Sequence, residues 1–342
     1  MGAVGGQQAW AAIIAALPSV ARTASQALAP KPTAQAIRRA KGLGQNFLLD
    51  PAVLSRFAAA AVAPLPAPTG SLELAVEVGP GPGGLTASLL AAGAPRVVAI
   101  ERDFDCVSAL RESGLESLAG SRLRLIHADA REIDIATLCE EEGVSSPQAV
   151  RIVGNLPFSV GTRLLVDWMP PEPRVGSFTL LFQKEVAERI CAPVGSRDYS
   201  RLSVLVQAWA SPRLLFRLGR SHFTPAPKVD TAVLSIVPLP EEELIIPRAH
   251  AAALHSVTAA AFQQRRKMLR SSLAKLPAIA REERNGRRRG AEIGTAGAEA
   301  LCNVAGVEYT LRAGAVSVAE FGRLAEVRIE QQQQHSPPSD SD

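Results

Sequence analysis

The sequence predicts an α/β fold, a doubly wound sheet of seven strands with the last one antiparallel, followed by a small helical C-terminal region. Three observations carry this. Short, nearly continuous apolar runs alternate with helical segments, the pattern of strands covered by helices on both faces. The connection into the last strand holds two prolines and no helical pattern, so it cannot be a helical crossover. Past Pro238 the chain reads as helix.

The strand runs are LELAVEV (72–78), RVVAIE (96–101), LRLIHAD (123–129), AVRIVGN (149–155), FTLLFQ (178–183), LLFRLG (214–219) and AVLSIV (232–237). Alternation of this kind builds a doubly wound sheet. SHFTPAPKVD (221–230) leads into the seventh run, which is therefore expected to lie antiparallel to its neighbour. Six parallel strands and an antiparallel seventh form the plan of the Rossmann-like class I methyltransferase sheet, an analogy of fold alone. In the helical region, residues 254–276 form the strongest segment, expected as one continuous helix.

Composition narrows the classes. The 342 residues are 47% hydrophobic, enough for one full α/β domain and a smaller one. Lys and Arg (37) exceed Asp and Glu (33), a weak lean toward a polyanionic partner. Cys106, Cys139, Cys191 and Cys302 are scattered with no C-x-x-C pair, and the five histidines form no cluster, which argues against a disulfide frame or a metal site. No apolar run is long enough for a membrane span.

The first 49 residues hold no Asp or Glu but carry Arg22, Lys31, Arg38, Arg39 and Lys41, the composition of an organelle transit peptide or of a disordered Ala-rich tail. The expected organisation is such a segment over 1–40, a catalytic domain over 41–238, a helical domain over 239–330 and a disordered polar tail over 331–342.

VEVGPGPGGLT (76–86) follows a strand and opens a helix, so Gly79, Gly81 and Gly84 fit a dinucleotide fingerprint. Pro80 and Pro82 remove N–H donors from the loop that would cradle a pyrophosphate, which favours a nucleoside without phosphates. Glu101 ends the next strand, where a carboxylate can hold ribose hydroxyls. Asp129 ends the third, where it can accept from an adenine amine or serve only as a helix cap.

RIVGNLPFSV (151–160) places a carboxamide, a proline and an aromatic ring at the end of the fourth strand. A nucleobase amine is a poor nucleophile because its lone pair is delocalised into the ring. The Asn155 side-chain oxygen and the Leu156 main-chain oxygen can accept its two N–H bonds and counter the charge that develops. Pro157 fixes the backbone, and Phe158 offers a stacking face worth roughly 1–3 kcal/mol. Asn-Leu-Pro is also ordinary turn chemistry; its place after the Gly-rich loop, Glu101 and Asp129 is what points to a site.

These segments, with GQNFLLD (44–50), AIERD (99–103), LLFQKEVAERI (180–190), SRLSVLVQ (200–207) and FTPAPKVD (223–230), resemble the ribosomal RNA adenine dimethyltransferases, and most of all their mitochondrial members. The resemblance covers roughly residues 30–275. It implies dimethylation, from S-adenosyl-L-methionine, of two adjacent adenines in the 3′-terminal hairpin loop of small-subunit rRNA, with a role in ribosome biogenesis. It also implies that Asn46, Leu48, Gly79, Gly81, Glu101, Asp129 and Asn155 contact the cofactor with Gln45 nearby, and that Asn155, Leu156, Pro157 and Phe158 form the target-base site. Many relatives carry tyrosine where this chain has Phe158, which loses a hydroxyl and keeps the ring.

Asp50 followed by Pro51 reads as a helix start, so 46–49 precede a helix and can either close over the cofactor or staple that helix to the core. Phe223 and the Pro225/Pro227 loop read as turn structure or as a wall against a flipped base. For RNA, a helical wheel over 254–276 groups Arg266, Lys267 and Arg270 on one face, and puts Arg265 in the apolar arc, where it needs a buried partner or an interface. IRRAK (37–41) and RRR (287–289) are further basic candidates, and RNGRRRG (284–290) has no counterpart in the family. The expected partners are small-subunit rRNA and the small ribosomal subunit, with no metal and no membrane, for a monomer in the mitochondrion rather than the chloroplast, nucleolus or cytosol. The rival readings are a nucleic-acid-binding factor without catalysis and an adenine methyltransferase acting on DNA or large-subunit rRNA.

Overall fold

The computed structural model describes residues 45–65, 70–278 and 292–334. The expected leader, IRRAK, RNGRRRG with its RRR run, and residues 335–342 of the expected tail lie outside the described residues. The chain forms two compact units: one runs to Ala187 and resumes over Pro212–Pro238, the other takes Glu188–Ser211 and the chain from Leu239. The expected boundary at 238 therefore omits a segment of the second unit.

The strands are β1 (Phe47–Leu48), β2 (Leu74–Val78), β3 (Val97–Glu101), β4 (Leu123–His127), β5 (Val150–Gly154), β6 (Val175–Gln183), β7 (Ala210–Leu218), β8 (Phe223–Thr224) and β9 (Thr231–Pro238). Seven form one sheet in the order β4-β3-β2-β5-β6-β9-β7. β2 pairs in parallel with both β3 and β5, β3 with β4, and β5 with β6. β9 runs antiparallel to β6, as its proline-rich approach requires. Because β2, β3 and β5 are buried along their whole length, their sequences show no polar alternation and are apolar except at Glu77, Glu101 and Arg151. The strand order reverses at β2, so the crevice at the carboxyl ends of β2 and β5 is where an open α/β sheet binds ligands. Gly154 ends β5 where a Cβ would lie 2.7 Å from the Val78 carbonyl oxygen; only glycine lets the two strands approach there.

The helix Pro51–Val62 begins as its sequence dictates, with the Asp50 side chain accepting from the N–H groups of Ala52 and Val53 and proline in the first turn. Val53, Leu54, Phe57, Ala58 and Ala61 recur at helical spacing and are buried. The sequence pattern missed β1, a two-residue strand held antiparallel to β8 in the pairs Phe47 with Thr224 and Leu48 with Phe223. Two residues are too few to show a period.

In the second unit the Trp209 indole N–H donates to the Ile246 carbonyl at 2.9 Å, and Tyr199, Phe262 and Phe321 form an aromatic row. These contacts explain why 188–211 belongs with the C-terminal helices. The continuous helix expected over 254–276 is not formed. It ends at Gln263, and a short helix follows over Leu269–Ser272. Between them Met268 bridges Arg312 and the Leu269 N–H donates to the Leu311 carbonyl at 2.7 Å, a backbone pairing that diverts the chain. The last helix, Val318–Gln334, extends four residues into the expected tail.

Candidate active site

A cavity of about 380 Å³ opens at the carboxyl ends of β2 to β5 in the first unit, in the size range of small-molecule sites. Gln45, Asn46, Leu48, Gly79, Gly81, Glu101, Asp129, Asn155, Leu156, Pro157 and Phe158 all line it. Residues separated by more than a hundred positions in sequence thus share one wall.

The loop after β2 is shaped by glycine. Gly81 has φ +54°, and a Cβ there would lie 3.1 Å from the Phe47 ring. Its N–H donates to Glu101 Oε2 at 3.1 Å, and the Asp103 N–H donates to Oε1 at 2.8 Å. Glu101 is thus clamped between two loops, and burial raises its pKa against the pull of those amides. A carboxylate oxygen can accept more than one hydrogen bond, so Glu101, in the cavity lining, keeps capacity for a diol partner.

Asn155 donates its Nδ2 to the Asn46 carbonyl at 2.8 Å. That bond fixes which way the carboxamide faces and leaves Oδ1 as an acceptor. Leu156 is buried, and Phe158 is half-buried with its ring against the core cluster. Phe158 also opens the helix Phe158–Asp167, whose first turn hydrogen-bonds to the Pro157 carbonyl and so sets the tetrapeptide's backbone.

The 45–50 segment packs against the core and also borders the cavity. Phe47 and Leu48 are buried, and both line the cavity. The segment is tied down by β8, by the Leu49 N–H donating to the His222 carbonyl, and by His222 Nδ1 bonded to Asp50 Oδ2 at 2.8 Å.

Asp129 differs from the expectation of an open acceptor. Oδ1 accepts from the backbone N–H and Nε of Arg131, both at 3.0 Å, and Oδ2 accepts from Arg131 Nη2 at 2.6 Å and Arg102 Nη1 at 3.3 Å. Four bonds use its acceptor capacity. The Arg131 guanidinium holds its carboxyl well below the usual carboxylate range. The capping alternative is also realised, since Asp129 precedes the short turn Ala130–Glu132.

Sequence reasoning missed Glu77, the one acid inside β2. It is 1% exposed and lines the cavity. Burial, offset in part by the Thr86 hydroxyl beside it, pushes its carboxyl up to about 8. Neither oxygen reaches a protein donor in full hydrogen-bond geometry. An acid within a fully apolar strand was the available signal. Arg131 was missed as well, with nothing in the sequence to mark it.

The proposed RNA contacts lie away from this cavity's lining. Phe223 is 4% exposed and packs in the core opposite Leu48, so its ring is not a wall for a base; pairing with β1 buries it. Arg265 is exposed, not in an apolar arc, because the helix has already ended; it donates Nη2 to the carbonyls of Ser196 and Arg197. Arg266 and Lys267 are exposed on the same turn, and Arg270 pairs with Glu299 at 3.3 Å. Among the described residues no cluster of His, Cys, Asp or Glu is arranged for a metal, and no helix is long and apolar enough to cross a membrane.

A doubly wound sheet with an antiparallel last strand, and a nucleoside-sized cavity bearing carboxylates at the ends of β3 and β4, define a Rossmann-like methyltransferase. The model of the ribosomal RNA adenine dimethylase family matches residues 37–302. The chain is 42% identical over 288 residues to the ribosomal RNA small subunit methyltransferase A of Chelativorans sp., covering 83% of this chain and 91% of that protein. It belongs to the ribosomal RNA adenine dimethylase family. A dimethyladenosine transferase structure from Plasmodium falciparum shares the fold, with a TM-score of 0.59 and 20% identity over 83% of this chain and 98% of that one. The 23S rRNA methyltransferase ErmE matches with a TM-score of 0.53 and 25% identity over 82% of this chain and 99% of that one.

The cavity fits S-adenosyl-L-methionine, the family's methyl donor. With Glu77 kept protonated by burial, its lining holds Glu101, Asp103 and Asp129 against Arg102 and Arg131, a net acidic set suited to a sulfonium and an ammonium group. The unpaired Glu77 oxygens leave hydrogen-bonding capacity for a bound donor. The proline-interrupted loop offers no phosphate cradle, and this ligand has no phosphate.

Proposed function

We propose that this protein dimethylates two adjacent adenines in the 3′-terminal hairpin loop of small-subunit rRNA and acts in ribosome biogenesis in the mitochondrion. The observation that carries the chemistry is the Asn155 to Asn46 bond, which occupies the amide nitrogen and leaves Oδ1 of this cavity-lining residue as its acceptor. Bound S-adenosyl-L-methionine supplies an electrophilic methyl on a sulfonium. Asn155 Oδ1 and the Leu156 carbonyl accept the two N–H bonds of the target amine, make its lone pair available and counter the positive charge that follows. Phe158 stacks on the base, and Pro157 restricts the backbone that carries the second acceptor. Holding the reacting atoms in line contributes up to roughly 7–11 kcal/mol. Gln45, Asn46 and Leu48 cover the cofactor, while Glu101 holds its ribose.

The exposed Arg266 and Lys267 are the cations proposed to meet RNA phosphates. The acid-free, basic first 49 residues support import into the organelle. The test is incubation with labelled S-adenosyl-L-methionine and small subunits lacking the modification, with the methylated positions mapped; label found only in large-subunit RNA or DNA overturns the substrate. Residues 1–40 fused to a reporter test the location, and a diffuse cytosolic signal counts against it.

A further inference from the structure

Asp129 stands where the adenine amine of the cofactor is expected, yet Arg131 grips it through three bonds and Arg102 through a fourth. Both arginines are solvent-accessible, with side chains 51% and 67% exposed, while the Asp129 side chain is 16% exposed. Such a pair is easily broken from the solvent side, because water and salt screen the guanidinium. Arg131 also lies on the wall between two cavities. The second, of about 500 Å³, also includes Asp134 and Asp167 in its lining.

From these facts we propose that Arg131 is a built-in competitor for the base-recognition edge of the cofactor pocket: its guanidinium must leave Asp129 before an adenine amine can bind there, and this exchange sets cofactor affinity. The inference rests on the reading of the cavity as the S-adenosyl-L-methionine site. The Arg131 backbone N–H can stay on Oδ1 throughout, since only the side chain must move. One acceptor position on each oxygen is then released, while Arg102 can stay on Oδ2. Arg131 in this role neither touches the reacting atoms nor supports the fold; it takes affinity away, and its removal has the opposite sign to the loss of a binding residue.

The test is calorimetry on the full chain with S-adenosylhomocysteine and with its inosine counterpart, which lacks the amine. Arg131→Met is expected to tighten the adenine ligand roughly two- to fivefold, the range of an exposed ion pair, and to leave the inosine ligand unchanged. Arg131→Lys keeps the charge without the bidentate fork and is expected to fall between the two. In an Asp129→Asn background, Arg131→Met is expected to have no further effect, since the clamp is already broken. Weaker or unchanged binding of the adenine ligand by Arg131→Met overturns the competition. A wild-type chain and an Arg131→Met chain that both fail to bind S-adenosylhomocysteine overturn the cofactor reading itself.

Discussion

Replacing Asn155 by alanine removes two things of different size, which are read in different constants. The first is the acceptor for the target amine. Losing one group aimed at developing charge lowers kcat by about 10²- to 10³-fold, or about 2.7–4 kcal/mol. The second is the 2.8 Å bond to the Asn46 carbonyl. A neutral bond of this kind contributes about 0.5–1.5 kcal/mol net, so its loss weakens cofactor binding by about tenfold at most. The 45–48 segment does not come free, because β8 and the Asp50 to His222 contact still hold it. Asn155→Asp separates the two effects: the carboxylate keeps an acceptor but cannot donate to Asn46. Its cofactor affinity is expected to match that of the alanine variant while its kcat falls less. Single-turnover transfer to unmodified small subunits, with cofactor affinity measured independently, distinguishes them. An unchanged kcat in the alanine variant, or a defect confined to cofactor affinity, refutes the role of Oδ1.

Glu77 has a carboxyl pushed from 4.5 up to about 8, so between those values the unfolded chain loses a proton that the folded one keeps. Stability is expected to fall as pH rises through that window, with a slope of up to about 1.4 kcal/mol per pH unit, and Glu77→Gln to flatten it; an identical pH dependence of thermal unfolding in the two proteins rules this out. Asp50→Ala deletes the cap on Ala52 and Val53 and is expected to cost about 1 kcal/mol in denaturant unfolding, so unaltered stability would contradict the capping argument. Gly154→Ala places a methyl 2.7 Å from the Val78 oxygen and is expected to destabilise by about 1–3 kcal/mol, visible as a lowered Tm. RNA affinity is expected to fall steeply with salt, and removing the charges of Arg266 and Lys267 to shrink the log-log slope by roughly 1 for each phosphate no longer neutralised; a flat salt response removes the electrostatic interface.

The strand runs along the chain, the antiparallel last strand and the tetrapeptide 155–158 were legible because they follow from local rules: apolar runs bounded by glycine and proline, and an antiparallel strand where no crossover fits. The helix over 254–276 was misread for the same reason. Its residues do have helical periodicity, but a wheel cannot register that Leu269 bonds to Leu311, and with that bond the assigned face of Arg265 lost its meaning. Phe223 likewise carries no local mark of its pairing with Leu48.

What the sequence by itself determined is the chemistry available at the carboxyl edge of the sheet: two carboxylates, a carboxamide, a proline and a ring, each placed by its strand's end. Only the tertiary structure decided how those groups are engaged. It turned the Asn155 amide toward Asn46, closed both oxygens of Asp129 around arginine, and buried Glu77 without a protein donor in full hydrogen-bond geometry. The physical reason is that strand ends are set by short-range patterns, whereas a side chain's hydrogen-bond partner and the water around it depend on segments brought together only by folding.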